Sequence, residues 1–253
     1  MSHFADKLAK CHAATNKSFD PQDTSLEIFR RAWDRILPLV QVGVDTPLST
    51  TEEWIQRLWT LHVEPTRHYH TAVHVQEMLE YLDAVRSSES SSSSLLSPVQ
   101  EAVIVMSIYF HDAIYNPQSG TNEEDSEKLW QEFAQAVKLA NKEMIDEVSN
   151  FILATKKHKV STENSSTLAL FLDLDLAVLA KEPSAYLSYA ALIRREYHFV
   201  PVETYCSKRA EILQDMANQP HLFASPAFGP WEDRARNNLR NEIKLLQQGT
   251  IPA

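Results

Sequence analysis

Residues 97–112, SPVQEAVIVMSIYFHD, decide how this 253-residue chain is interpreted. Ser97-Pro98-Val-Gln100 fits the start of a helix, because the missing N–H of a proline costs no hydrogen bond at the first helical position. The uncharged run 103–110 then ends at His111 and Asp112. We expect a buried helix that delivers an imidazole and a carboxylate, and a buried carboxylate needs a partner or a cation. The alternative is a helix end whose His-Asp pair faces water.

The rest of the chain also carries helical signals. Only four glycines occur, and a fold rich in hairpins needs glycine in its turns. Apolar residues recur at helical spacing between the prolines, and capping-box patterns begin at Ser49 and Thr121. The predicted fold class is all-α, without a strand. The predicted helices span residues 24–40, 49–62, 71–86, 98–111, 122–139, 141–158, 166–180, 184–199, 202–218 and 231–247.

The chain length predicts a single domain over residues 1–253, at the upper end of the usual size range. Helices within residues 1–48 are expected as an N-terminal embellishment. The polar run SSESSSSS (87–94) cannot bury itself, so a flexible loop is predicted over 87–97. This loop joins two helices and is not a domain boundary, because the motifs on its two sides belong together.

Charge and cysteine usage exclude several classes of partner. The net charge of −10 disfavours nucleic-acid polymers and anionic membranes, since both require a basic face. A small anionic substrate remains compatible, because a metal ion or a few arginines can reverse the local field. Cys11 and Cys206 are predicted to be free thiols of a reducing compartment. The N-terminus lacks an apolar signal region, so a cytoplasmic location is predicted, with no particular oligomeric state.

Two further polar clusters accompany the His-Asp pair. The stretch RHYHTAVH (67–74) contains three histidines, and the four-residue spacing of His70 and His74 puts both on one side of a helix. Asp173 and Asp175 lie in an apolar segment and need donors or a metal. The alternative for each histidine is a surface or capping role, and for the aspartates it is that one caps a helix and the other forms a salt bridge. Together the clusters offer imidazoles and carboxylates, the mixed ligand set that suits Zn, Mn, Fe, Co or Mg.

The order H…HD…D resembles the HD superfamily of metal-dependent phosphohydrolases. The resemblance extends over roughly residues 50–247 and is most specific for a branch of stand-alone HD phosphohydrolases. The motifs that carry it are RHYHTAVH (67–74), FHDAIY (110–115), NEEDS (122–126), TKKH (155–158), DLDLAVL (173–179), IRREY (193–197) and ARNNL (235–239).

The resemblance implies a single HD-type domain, a helical bundle with a metal site between its central helices. It implies four ligands, His74, His111, Asp112 and Asp175, for one or two divalent ions (Mn, Mg, Zn, Co or Fe). Asp173 becomes the neighbouring carboxylate, although the two aspartates could exchange roles. His70 matches the general acid in the Y-H-x-x-x-H string of the related cyclic-nucleotide phosphodiesterases.

The function implied is the hydrolysis of a phosphate ester, of a nucleotide or a related small phosphorylated metabolite. A metal-activated hydroxide attacks phosphorus, and His70 protonates the leaving oxygen. Asp112 could bridge a second cation, and Glu123 could orient His70 or hydrogen-bond a metal-bound water. Two alternatives remain open at this point. They are an HD-fold di-iron oxygenase, which uses additional histidines, and a noncatalytic metal- or nucleotide-binding module.

Five residues are predicted to bind the substrate. Arginines can hold phosphate oxygens bidentately, and three of the candidates also have a structural alternative. His158 could lie at a solvated helix end, Arg194 could pair with Glu196 or with the acids of the 232–242 helix, and Arg67 could anchor its loop. The predicted contacts are Arg67, Asn122, His158, Arg194 and Arg209.

Overall fold

The computed structural model of the chain describes residues 24–40, 43, 45–87, 96–158 and 165–252. Over these residues all of the regular secondary structure is helical, so the all-α prediction is confirmed. The α-helices are α1 (Leu26–Ile36), α2 (Leu48–His62), α3 (Ala72–Ser87), α4 (Pro98–Phe110), α5 (Asn122–Ala136), α6 (Lys142–Ala154), α7 (Ser166–Leu176), α8 (Pro183–Glu196), α9 (Val202–Ala217) and α10 (Glu232–Gln247). Short 3₁₀ turns lie directly after α1 (Leu37–Leu39), directly after α7 (Ala177–Ala180) and directly before α10 (Gly229–Trp231).

The described residues form two compact units. The N-terminal unit, residues 24–158, contains α1 to α6, and the C-terminal unit, residues 165–252, contains α7 to α10. The single-domain organisation stays a prediction. Cys11 and nearly all of the Ser-rich run lie outside the described residues. Among the residues described, no helix has the length and apolar character that crossing a membrane requires.

Helix α4 is the centre of the N-terminal unit. All of its residues from Glu101 to Phe110 are buried, because a helix with no polar face must be covered on every side. It packs against α1, α3, α5 and α6. It begins at Pro98, as predicted, and its start is a capping box: the Ser97 hydroxyl accepts from the backbone N–H of Gln100, and the Gln100 side chain accepts from the backbone N–H of Ser97.

The two predicted capping boxes, at Ser49 and Thr121, are wrong. Helix α2 begins at Leu48, directly after Pro47, so Ser49 lies inside the first turn and caps nothing. Thr121 does precede α5, but its side chain does not accept from the helix backbone. Its hydroxyl donates instead to Asp125, across 2.8 Å. The Thr121 hydroxyl is therefore bonded to the Asp125 side chain, one turn into the helix, and does not cap the helix backbone.

The C-terminal unit is organised around α9 and α10, which pack against each other along much of their length. Asn238 of α10 donates to the backbone oxygens of Leu179 and Lys181, at 2.9 and 2.8 Å. This amide holds the 3₁₀ turn that follows α7 against α10. Because Asn238 is itself buried, the two hydrogen bonds also satisfy a side chain that would otherwise be costly to bury.

Candidate metal centre

Three predicted ligands come together in the N-terminal unit. His74 lies in the first turn of α3, and His111 and Asp112 directly follow α4. Because α3 packs on α4, one nitrogen or oxygen from each of the three residues lies within 4.8 Å of the others. His74 and His111 are 2% and 1% exposed, while Asp112 is partly exposed. The arrangement is a buried pair of imidazoles with a carboxylate at its edge.

Hydrogen bonding fixes the tautomer of His111. Its Nδ1 lies 3.0 Å from the carbonyl oxygen of Ile108, and a carbonyl only accepts, so Nδ1 carries a proton. The other nitrogen, Nε2, lies 3.1 Å from Oδ2 of Asp112. A nitrogen lone pair and a carboxylate oxygen repel at that distance unless a proton or a metal ion lies between them. A backbone carbonyl on the far nitrogen is the usual support of a metal-binding histidine.

His74 has comparable support from its neighbour Tyr69. The Tyr69 hydroxyl lies 3.1 Å from Nδ1 of His74, so a bond from this ring to a metal ion would use Nε2. The two rings are in tilted contact, with 4.8 Å between centroids. Tyr69 was missed as a supporting residue, because an aromatic next to a histidine in sequence more often belongs to the core.

The spacing of the cluster is compatible with a shared ion. Bonds of about 2.1 Å to one ion place two ligand atoms at most about 4.2 Å apart. The separation here, up to 4.8 Å, therefore needs side-chain movements of less than about 1 Å. Two imidazoles and a carboxylate are a donor set that Zn, Mn, Fe and Co accept. The residues present fit a divalent metal ion.

His70 lies beside the cluster and outside the group of potential ligands. Its ring centroid is 6.2 Å from that of His74, and its imidazole stacks on Tyr115 with 4.2 Å between centroids. Both residues are partly exposed. This position matches a proton donor near a metal more closely than it matches a ligand, and the acid role of His70 stays a prediction.

Arg67 is buried and engaged with backbone. It is 3% exposed and donates to the carbonyl oxygens of His70, Asp112 and Ala113, at 3.1, 2.6 and 2.8 Å. Its Nε lies 3.3 Å from a carboxylate oxygen of Glu64. This placement favours the anchoring alternative over the predicted phosphate contact.

The side chain of Asn122, another predicted substrate contact, also binds backbone. It accepts from the N–H of Asn116 and donates to the carbonyl oxygen of the same residue, both at 3.0 Å. One turn along α5, Ser126 accepts from the N–H of Ile114 and donates to its carbonyl oxygen. These two residues hold the segment that carries Tyr115. The serine of the NEEDS motif was the sequence signal for this clamp.

Glu123 lies at the start of α5, and Lys156 lies near it. The Lys156 ammonium is 3.8 Å from a Glu123 oxygen and forms a closer pair with Glu124. That hydrogen-bonded ammonium lowers the pKa of the Glu124 carboxyl below its usual range. The positive charge of Lys156 therefore offsets part of the negative charge of Glu123 and Glu124. The role of Glu123 toward His70 stays a prediction.

Three predicted substrate contacts remain, one in the N-terminal unit and two in the C-terminal unit. His158 closes the α6 segment with a left-handed backbone, φ 42°. In the C-terminal unit, Arg194 donates to the carbonyl oxygen of Tyr197. Arg209 binds the buried carboxylate of Glu242, with 2.9 Å between Nε and Oε1. Because that carboxylate already holds its guanidinium, Arg209 has the character of a structural residue, and the substrate roles of His158 and Arg194 stay predictions.

The two aspartates of α7 differ in their surroundings. Asp173 is 0% exposed and accepts from the backbone N–H groups of Ala224 and Ser225, at 2.9 and 2.6 Å. Burial raises the pKa of its carboxyl to about 6. Both oxygens of Asp173 are occupied, so Asp175, which is partly exposed, is the more suitable ligand of the two. Its ligand role stays a prediction.

His62 is a buried histidine that the sequence motifs did not identify. It is fully buried at the end of α2, with Nε2 at 3.1 Å from the carbonyl oxygen of Tyr109. Burial, together with the nearby Arg67 charge, lowers the pKa of the His62 imidazole to about 3. The imidazole is therefore neutral, and its Nε2–H satisfies a carbonyl of the helix that leads to His111.

Comparisons of the chain with protein-family models, with curated proteins and with solved structures found no match.

Proposed function

We propose that this protein is a metal-dependent phosphohydrolase that hydrolyses a phosphate ester of a nucleotide or a related small phosphorylated metabolite. The observation that carries the proposal is the convergence of His74, His111 and Asp112 to within 4.8 Å. The ordered motifs around these residues, which resemble those of HD phosphohydrolases, supply the reaction class. The proposed enzyme acts on small molecules, because its net charge of −10 opposes nucleic-acid polymers.

His74 and His111 would hold the ion through Nε2, and Asp112 through its carboxylate. Asp175 is the fourth proposed ligand, on the strength of the resemblance alone. Asp112 has two oxygens, so it would also hold a second ion if two bind. The chemistry that a divalent ion would supply here is polarisation of the phosphoryl oxygen and a supply of hydroxide near neutral pH.

The proposed proton donor is His70. Hydrolysis joins the oxygen of water to phosphorus and breaks the P–O bond to the leaving group, whose oxygen keeps the electron pair. His70, as an imidazolium, gives that oxygen a proton and regains one from solvent, while the attacking water loses one. The stacking of His70 on Tyr115 supports this role, because a donor must be held near the site without occupying a ligand position.

The proposal is tested by metal analysis of the purified protein. A screen for phosphatase and phosphodiesterase activity with Mn, Mg, Co and Zn then follows. We expect His74→Ala and Asp112→Ala to lose both metal and activity. We expect His70→Ala to keep its metal and to turn over more slowly, by about 10²–10⁴-fold. His221→Ala, at an exposed histidine of the C-terminal unit, is the control and should change neither.

Other outcomes identify the competing functions. Tightly bound iron with oxygen uptake and no hydrolysis would assign the cluster to an oxygenase. Stoichiometric metal without turnover on any phosphate ester would indicate a binding module. If His70→Ala lost metal as readily as His74→Ala, His70 would be a ligand and the acid assignment would be wrong.

A further inference from the structure

Arg67 connects the two parts of the candidate metal centre. One part is the loop before α3, which carries Tyr69 and His70, and the other is the turn after α4, which carries Asp112. The Arg67 guanidinium donates to the carbonyl oxygens of His70, Asp112 and Ala113, at 3.1, 2.6 and 2.8 Å. These three hydrogen bonds span both segments from one rigid group.

The burial of Arg67 indicates that these contacts are specific. An arginine that is 3% exposed has lost most of its hydration, and this loss is costly unless its N–H groups are bonded elsewhere. The carboxylate of Glu64, at 3.3 Å from Nε, is itself partly exposed and compensates only in part. Backbone carbonyls of the two site segments therefore provide most of the compensation, and their geometry fits the planar fork of a guanidinium.

We propose that Arg67 is a positioning residue, which holds Asp112 and His70 in register by binding the backbone of both. It acts through those residues and does not contact the substrate phosphate. The inference rests on the proposed function, since it assigns to Arg67 the geometry of the same metal site. A second observation agrees with it: the Arg67 guanidinium carbon also lies 5.6 Å from the ring centroid of Tyr115, on which His70 stacks.

A positioning residue and a phosphate contact give different results when truncated. Loss of a phosphate contact raises KM and weakens inhibition by inorganic phosphate, with the metal site intact. Loss of a positioning residue displaces Asp112, so it weakens metal binding, and residues that support metal ligands cost about 10- to 100-fold in metal affinity or activity when mutated. Metal affinity is measurable without any substrate.

The test compares wild type, Arg67→Met, Arg67→Lys and the control Arg57→Met. Arg57 is a matched control because it also pairs with a carboxylate, Glu132, and lies over an aromatic ring, that of Trp54. The measurements are the Kd for Mn²⁺ by calorimetry, the visible spectrum of the Co²⁺-loaded protein and the helical circular dichroism. They also include kcat and KM on p-nitrophenyl phosphate and bis-p-nitrophenyl phosphate, with inorganic phosphate as inhibitor.

We expect Arg67→Met to raise the Kd for Mn²⁺ by about 10- to 100-fold and to change the Co²⁺ spectrum. At saturating Mn²⁺ it should lower kcat, while KM and inhibition by phosphate change by less than about twofold. Arg67→Lys keeps a cation beside the carbonyls and should recover part of the Mn²⁺ affinity. Arg57→Met should match wild type. If Arg67→Met loses its helical signal, Arg67→Lys carries the same comparison.

The proposal would be overturned in favour of a phosphate contact if Arg67→Met kept wild-type Mn²⁺ affinity but showed a raised KM and weaker inhibition by phosphate. Lower stability with unchanged Mn²⁺ affinity and kcat would also overturn it, because the role would then be in folding alone. Both results leave the proposed hydrolase standing. A wild-type protein that binds no Mn²⁺ and hydrolyses no ester would instead refute the proposed function, and the positioning role with it.

Discussion

The imidazole of His70 stacks on the ring of Tyr115, with 4.2 Å between centroids and 29° between planes. Tyr115 is in turn held by the clamps that Asn122 and Ser126 place on the backbone of its neighbours. A segment held by two side chains of α5 thus orients the proposed proton donor.

The stack predicts different effects for two substitutions of Tyr115. An aromatic pair contributes about 0.5–1.5 kcal/mol beyond its burial, so Tyr115→Leu should lower kcat by about 3- to 10-fold. Tyr115→Phe keeps the ring and should stay within about twofold of wild type. Steady-state kinetics at saturating metal, with the Kd for Mn²⁺ unchanged in both variants, is the measurement. Equal losses in the two variants would show that the hydroxyl matters and the stack does not.

Tyr69 gives a second prediction, on the metal site itself. Removing its hydroxyl in Tyr69→Phe leaves Nδ1 of His74 without this partner, and a lost support of this type weakens metal binding by about 10- to 100-fold. Calorimetry with Mn²⁺ measures the change. Tyr205→Phe, at a buried tyrosine of the C-terminal unit whose ring lies by Arg194, is the control. Unchanged affinity in Tyr69→Phe would mean that the His74 ring is held by packing alone.

His62 predicts a pH dependence of stability. Its pKa is lowered from 6.5 to about 3 in the folded chain, so the unfolded state binds more protons between these values. The folded state therefore loses stability as the pH falls below about 6.5, and the loss between pH 7 and pH 5 is about 2 kcal/mol from this group. Urea unfolding of the metal-free protein at both pH values measures it.

The control for this pH effect is His62→Gln, which keeps an N–H for the Tyr109 carbonyl and does not titrate. Between pH 7 and pH 5, the free energy of unfolding of His62→Gln should fall by about 2 kcal/mol less than that of wild type. Other histidines titrate in both proteins and cancel in the difference. Parallel pH profiles for the two proteins would show that His62 is not buried as a neutral imidazole.

The two aspartates of α7 predict separable phenotypes. Asp173→Asn puts an NH₂ group in place of one carboxylate oxygen at a fully buried position, where it faces a backbone N–H of Ala224 or Ser225, and an unsatisfied buried donor costs about 1–3 kcal/mol. Asp175→Asn, at a partly exposed position, should change stability less and should weaken metal binding if the predicted ligand role is right. Urea unfolding and Mn²⁺ calorimetry on both variants measure this. A metal defect in Asp173→Asn alone would reverse the assignment.

The helices were predictable because apolar spacing and proline position are local signals. Helix α4 was predicted from the proline at its first position and its uncharged run, and its end differs by one residue from the prediction. The C-terminal ends of α1, α5, α6, α7 and α8 were predicted three or four residues too late. Helix ends fray into 3₁₀ or turn geometry, and the sequence there still looks helical.

Part of the candidate site, like the helices, could be predicted from the sequence. His74, His111 and Asp112 were predicted together, and the structure places them together. The bonds of Arg67 and Asp173 were not predictable, because their partners are backbone groups, which carry no sequence signature. The same holds for His62, whose partner is the Tyr109 carbonyl. Charged side chains that bind backbone resemble ligand contacts until the fold is known.

The burial of α4 from Glu101 to Phe110 has a consequence for synthesis on the ribosome. This helix lies against α1 and α3, which precede it, and against α5 and α6, which follow it. Its uncharged segment, residues 102–110, therefore stays without half of its cover until Ala154 has left the exit tunnel. Exposed apolar segments of this kind promote aggregation, so the nascent chain is most in need of a chaperone while α5 and α6 are being translated.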